Sequence, residues 1–583
     1  MNFARRHRTT GSRQQRFVTR CAHCGILTSL AALTAITIAG PLSADTTLTA
    51  GGAKAAGVRA EKITLPLSLN WKYTSNYTPY NPSSPAVFGN DVFFAAGNRV
   101  YCVSAETGGL KWRFPQDAPM STSVTTTPTI ADGDIYFGAA DGKLYALKAD
   151  TGRIDWQFDT RSNIASSPSV VDSILYFGSS DGRVWAIDTR THDSVSTWKG
   201  GVKMTDEVAA APAVANGMVY ALSLDQVIHA IGTATGKERW SYRLPASVLH
   251  IAPVTSGEYV YIANGANIHS LMARNGTPRW TQILPTDVAV SPVTTDQAIY
   301  VVGNDNRVYA FDARTGRVKW KIPAKLDYEV VASPTVAGDL LLVGTSEGAI
   351  YAMDLETGTV KWFYKVVPST SNTETIPDRV NIAAPPVVVN NTVYVLSDDG
   401  ALSSFRSDAV DTAGPVISDL QPDMGIVVNG TPPFHFEAKV VDEGSGVDPN
   451  SIKISIDGQG APKRPEGGSA ADEKTGFKYD SHTSLLEYDI YAPSAASTVR
   501  PLSEGRHTVT ITAADWKGNV ATKSWTFTVD NSVAIRSRKR QTNTNSQGPG
   551  GGPGPGGLGS RGPGGGSSGG PGGRRGGGRG PGG

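Results

Sequence analysis

Eight tryptophans, Trp71, Trp112, Trp156, Trp198, Trp240, Trp280, Trp320 and Trp362, follow one another at intervals of 40–44 residues. They are eight of the 11 in the chain, so chance placement explains them poorly. A unit of about 40 residues cannot bury its apolar face alone. It must stack against copies of itself, which points to a propeller or a solenoid. The sequence around each indole repeats as well. TGGLKW (107–112), TGRIDW (151–156), TGKERW (235–240), TGRVKW (315–320) and TGTVKW (357–362) are one phrase, and NGTPRW (275–280) is a variant of it.

Ten residues before each Trp sits a small residue: Cys102, Ala146, Ala230, Ser270, Ala310 and Ala352. The third unit departs, with Ala186 twelve residues before Trp198. A bulky residue precedes the small one, as in Tyr101, Tyr145, Trp185, His229, His269, Tyr309 and Tyr351. Neighbouring residues of a strand face opposite sides, so this alternation predicts one close-packed face and one that takes an aromatic. The second unit predicts four strands: 128–131, 135–138, 143–148 and 153–158. Asp132-Gly133, Asp141-Gly142 and Thr151-Gly152 turn the chain between them. Asp-Gly between apolar runs is a hairpin signal, because Gly adopts positive φ without strain. Each unit therefore reads as a four-stranded antiparallel meander.

Seven units carry their own Trp between Pro85 and Trp362. An eighth begins at Ala384-Pro385-Pro386 and has no Trp where one is due, at Ala413. Trp71, in LSLNWKY, is an outer strand with no inner strands before it. The chain is thus expected to close an eight-bladed all-β propeller over 63–410, its N-terminal strand finishing the last blade and removing two sheet edges. The phrase YxGxxDGxVYALDAxTGxxxW resembles the PQQ-type propeller repeat. Quinoprotein alcohol dehydrogenases and the BamB-type outer-membrane assembly lipoproteins share it, and both are eight-bladed. The resemblance covers roughly 340 residues and is specific for fold, whereas one fold hosts many sites.

Residues 1–24 are basic and 25–42 are uncharged, apolar or small, so 1–44 reads as a secretory signal cleaved after Ala44 or as an uncleaved signal anchor. Membrane contact is expected only through that segment, if uncleaved. Cys21 and Cys24 precede the apolar run, which is not the lipobox order, and cleavage removes them. That departs from the BamB-type lipoproteins. The mature chain keeps only Cys102, expected as a buried core thiol. Residues 45–62 read as a linker. The two basic ends, 1–44 and 531–583, hold 14 of the 54 Lys and Arg and no acid. This leaves 45–530 with 40 basic against 52 acidic residues and a net charge of −12. An acidic body argues against specific nucleic-acid binding.

In such rings the B–C and D–A loops open on the usual ligand face. Asp206, Glu207, Asp287, Asp327, Glu329, Asp378 and Arg379 are predicted to rim it, as a cation or polar-ligand site or as solvated loops. His229 and His269 occupy equivalent sites in adjacent units, where packing in place of Tyr is the simpler reading than metal. The quinoprotein resemblance would imply PQQ, a calcium held by Glu, Asn and Asp, a catalytic Asp and commonly a disulfide of adjacent cysteines. No Cys-Cys pair exists, and the inserts that build such sites are missing. No cofactor and no catalytic residue is predicted, with PQQ and calcium as the runner-up.

Residues 411–530 read as a second all-β domain. The phrases 442–458 (DEGSGVDPNSIKISIDG) and 505–519 (GRHTVTITAADWKGN) resemble bacterial immunoglobulin-like modules. Asp442, Glu443 and Asp448 suit calcium or turn chemistry. The tail, 531–583, is Gly, Pro and Arg-rich and is expected to be disordered. The expected function is an exported, non-enzymatic protein-binding scaffold of the cell envelope, periplasmic or at the surface, its basic tail free to meet an anionic polymer. The alternatives are a PQQ-dependent oxidoreductase and a surface adhesin binding glycan or matrix through the immunoglobulin-like module.

Overall fold

The computed structural model describes residues 58–59, 61–75, 77, 83–246, 251–368, 380–382, 384–464, 476–481, 483–490 and 502–534. The predicted signal, most of the predicted linker, Asp378, Arg379 and the basic tail from 535 lie outside the described residues. What is described is all-β apart from one helical turn at Ser196–Trp198. No helix among the described residues is long and apolar enough to cross a membrane.

Eight sheets of four or five strands occupy 58–406. In the second, Thr129–Ala131, Asp134–Gly138, Lys143–Lys148 and Ile154–Asp159 pair in sequence order, within one residue of the strands expected from the turns. The A–B turn has positive φ at both Asp132 and Gly133, the geometry whose twist matches antiparallel strands. The last sheet runs Ser68–Thr74, Ala401–Arg406, Thr392–Leu396, Val387–Val389. Its outer strand is therefore the N-terminal one, with Trp71 opposite Ser404.

Buried clusters link each sheet to the next all the way round. Val100 and Phe137 join the first blade to the second, and Tyr136 and Phe177 join the second to the third. Tyr351 and Tyr300 join the seventh to the sixth, and Trp362 and Phe405 the seventh to the eighth. Tyr394 and Leu396 of the eighth meet Val92 and Tyr101 of the first, so the circle is closed. Near the axis Thr129, Ser169 and Thr335 each donate a side-chain hydrogen bond of 2.7 Å to a proline carbonyl of the following blade, Pro168, Pro212 and Pro386.

The indoles do what their regular spacing requires. The Nε1 of Trp71, Trp112, Trp198, Trp240, Trp280 and Trp320 donates to a carbonyl of the next blade, at 2.7–3.1 Å. The ring lies against that blade's C–D turn. A Cβ added at Gly108 would come 2.5 Å from Trp71, and one at Gly276 equally close to Trp240.

Three features differ from the expectation. Trp198 stands in the helical turn, because an insertion splits the third blade's outer strand into Asp193–Ser194 and Val202–Lys203. This accounts for the twelve-residue offset of Ala186. The sixth blade's outer strand is reduced to Ala324–Lys325, where Pro323 removes a backbone donor. Part of the stretch read as a linker is built into the ring. Val58–Arg59 pairs in parallel with Thr335–Ala337, on the axial side of the seventh blade.

Residues 416–529 form two sheets packed face to face. One contains Val416–Gln421, Phe434–Val441, Leu485–Ile490 and Phe477–Asp480. The other is built on Gly505–Ala514 and Val520–Val529. Phe436, Leu486, Ile511, Trp525 and Phe527 fill the space between them. This sandwich docks on the outer strands of the last two blades. Trp516 Nε1 donates to the Phe363 carbonyl (2.9 Å), the Tyr364 hydroxyl to the Glu443 carbonyl (2.8 Å) and the Leu69 amide to the Gly444 carbonyl (2.9 Å).

Candidate functional site

In the third, fourth, sixth, seventh and eighth blades the loop entering the blade is pinned to that blade's own B–C turn. The Ser180 amide donates to the Asn163 carbonyl, Leu224 to Glu207, Asn304 to Asp287, Ser346 to Glu329 and Asp398 to Asn381, all at 2.9–3.0 Å. Glu207, Asp287 and Glu329 therefore hold equivalent positions on one face, at the entries to the fourth, sixth and seventh blades. Asp206, Asp287, Asp327 and Glu329 are exposed and Glu207 is half-buried, its Oε1 accepting from Ser180 Oγ at 2.8 Å. No three of these described carboxylates bring oxygens within 4.8 Å of one another. They are distributed round a rim rather than converged on a point. The outer strands feeding two of these loops carry exposed apolar side chains that charge patterning did not flag: Ile283, which ends the fifth blade's, is 73% exposed, and Ile322, just before the sixth's, is 80% exposed. A cavity of about 1010 Å³ opens at the other end of the strands, among the A–B turns at Asp172, Asn216, Gly257 and Asp296. This hollow and the predicted rim thus lie on opposite faces.

His229 and His269 are buried and internally partnered. His229 Nδ1 lies 2.7 Å from Glu238 Oε2. His269 lies 3.1 Å from Thr281 Oγ1 and 3.3 Å from Asn264 Oδ1, and burial lowers its pKa. Neither belongs to a metal-competent group among the described residues. Cys102 is a buried free thiol whose pKa burial pushes up. The described rim offers no converging ligand set of three His, Cys, Asp or Glu, and the one described cysteine is walled into a blade.

Two clusters among the described residues do bring three potential ligand groups within 4.8 Å of one another. In His435–Glu437–Glu487 both imidazole nitrogens are already held by carboxylates, Asp489 at 2.7 Å and Glu437 at 3.2 Å. The other is Asp411–Asp442–Asp515, at the junction of ring and sandwich. The calcium reading of Asp442, Glu443 and Asp448 is corrected here. Glu443 is exposed, and Asp448 caps a turn by accepting from the Asn450 amide at 2.9 Å. Only Asp442 has acidic neighbours, and they come from 31 residues before and 73 after, which local spacing cannot reveal.

Burial, the largest influence, raises Asp442 from 3.8 to about 6; the Gly446 amide opposes this, and Asp411 and Asp515 add to it. The folded chain then binds this proton more tightly than the unfolded one, so stability falls as pH rises through roughly 4–6. Melting in chelator across that window should show the fall, and Asp442→Asn should flatten its slope. An unchanged slope in the variant rejects the assignment.

The sequence profile of the family described as outer membrane protein assembly factor BamB matches residues 69–226, 194–267 and 224–412, together more than half the chain. No match was found among curated proteins. Among solved structures, BamB from Moraxella catarrhalis is 19% identical, with a TM-score of 0.46, over 60% of this chain and 100% of that one. A quinohemoprotein alcohol dehydrogenase from Comamonas testosteroni is 14% identical, with a TM-score of 0.46, over 62% of this chain and 79% of that one. A europium-containing methanol dehydrogenase is 16% identical, with a TM-score of 0.45, over 56% of this chain and 84% of that one. With the repeat phrase, the stacked four-stranded sheets and the profile match all covering the same residues, the chain belongs to the BamB family of PQQ-like propeller proteins.

Proposed function

We propose that this protein is an exported, non-enzymatic scaffold of the cell envelope that binds another protein through the loop face of its propeller. One observation carries the reading: exposed Ile283 ends the fifth blade's outer strand and exposed Ile322 precedes the sixth's, each leading into an entry loop that carries exposed Asp287 or Asp327 and Glu329. Single exposed aliphatics are ordinary. Presented by adjacent blades and followed in sequence by acidic loops, they suit a partner segment that is apolar and flanked by Lys or Arg, seated on a rigid ring. The dispersed acidic rim supports binding over catalysis. The basic tail outside the described residues is proposed to hold the protein to an anionic envelope polymer or an acidic partner.

Photo-crosslinkers placed at Ile283 and Ile322 in cells should each trap the same envelope protein. The double variant Ile283→Asp, Ile322→Asp should lose that partner without a change in melting temperature. Stoichiometric uptake of PQQ with calcium, accompanied by dye-linked alcohol oxidation, would replace this reading with the oxidoreductase one.

A further inference from the structure

We propose that Asp411, Asp442 and Asp515 form a calcium site that fastens the sandwich to the propeller. The three come from separate segments: the stretch leaving the last blade, the loop after Phe434–Val441, and the turn between Gly505–Ala514 and Val520–Val529. One oxygen from each lies within 4.8 Å of the others. Carboxylate oxygens gathered this closely can share one calcium ion at ~2.3–2.6 Å.

Asp515 is 2% and Asp442 8% exposed. Like charges this close and this buried require a counter-charge or a proton. Their hydrogen bonds leave room for an ion. Asp442 Oδ1 accepts from the Gly446 amide at 2.7 Å, and Asp515 accepts from Asn519 at 2.7 and 2.8 Å. Asp411 Oδ2 is buried without a hydrogen-bond partner.

A second observation is independent of the carboxylates. Ser445 is 0% exposed, and its hydroxyl has no hydrogen-bond partner. It stands between Gly444, which packs so closely on the Asp411 carboxyl that a Cβ there would overlap it, and Gly446, which donates to Asp442. A buried hydroxyl left unpaired at this spot is accounted for by a cation that takes its oxygen. An all-oxygen donor set selects a hard cation over zinc or copper. The same loop holds the ring, through the Glu443 carbonyl to Tyr364 and the Gly444 carbonyl to Leu69. Ordering the loop around an ion therefore tightens the docking.

The full chain, stripped with chelator, should take up one calcium per molecule at concentrations up to about 1 mM, the range of extracellular modules. Calcium should raise its melting temperature and protect the junction from protease. Terbium in place of calcium should luminesce on tryptophan excitation, with Trp516 next in sequence to Asp515. Asp411→Asn and Asp442→Asn should each weaken uptake by roughly 10- to 100-fold, the scale on which metal sites respond to lost support, and Asp448→Asn should leave it unchanged. In chelator, Asp442→Asn should melt no lower than the parent, because it removes repulsion. No saturable uptake, or equal uptake by Asp411→Asn and the parent, overturns the proposal. Should Asp442→Asn not fold, the Asp411→Asn titration decides alone.

Discussion

Trp71→Ala should destabilise the ring by about 3–5 kcal/mol, the range for deleting a large buried aromatic. The indole sits on the strand that completes the eighth sheet and faces the first blade across the closing seam. Its Nε1 donates to the Ala105 carbonyl at 2.9 Å, its ring centroid is 6.0 Å from that of Tyr394, and Gly108 lies under it. Removing it takes away a hydrogen bond, an aromatic contact and the packing of one blade on another. Urea unfolding followed by the remaining tryptophans measures the loss. An unaltered midpoint would mean that 68–74 does not clasp the ring.

Gly276→Ala is expected to cost about 2–5 kcal/mol. Part is the left-handed backbone, φ +70°, which disfavours an L side chain by roughly 1–2 kcal/mol. The remainder is overpacking, since the new methyl would come 2.5 Å from the Trp240 ring, and such intrusions cost about 1–3 kcal/mol. The third blade shows the accommodation such a side chain demands. There His192 takes the equivalent place at φ +62°, its amide donating to the Asp188 carbonyl as Gly276 does to Met272. The imidazole stacks on Trp156 at 4.9 Å, and the Nε1 of Trp156 is left buried without a partner. Alanine cannot offer that stacking, so Gly276→Ala loses the fit and gains nothing. Thermal melting of the variant checks the figure, and a shift below 1 °C would contradict it.

The propeller was legible because its energetics are periodic. Each Trp, TG turn and small residue on strand C answers the same contact in the next blade, so the signal is repeated along the sequence. The strand ends came out within a residue where a Gly or Asn fixed the turn, as at Asp132-Gly133. Legibility failed where a contact occurs once. Nothing in the local sequence says that Val58 pairs with Val336, or that Trp516 bonds to Phe363 across 153 residues. The rim carboxylates were readable as loop residues, since Asp and Glu between apolar runs mark solvent. Their failure to converge was not, because convergence depends on where the blades stand around the ring. Ile283 and Ile322 resembled the aliphatics of neighbouring strands, and only their exposure in the folded ring distinguishes them.

The borrowed outer strand also sets a timetable. Ser68–Thr74 is made long before Ala401–Arg406, its one sheet neighbour among the described strands. Loop closure over more than 300 residues is slow and entropically demanding. Until then the first blade faces solvent where Tyr394 and Leu396 will sit, and an unpaired apolar edge is a target for wrong partners. A strand made early is thus among the last to be satisfied, and a holding chaperone has a defined window in which to act.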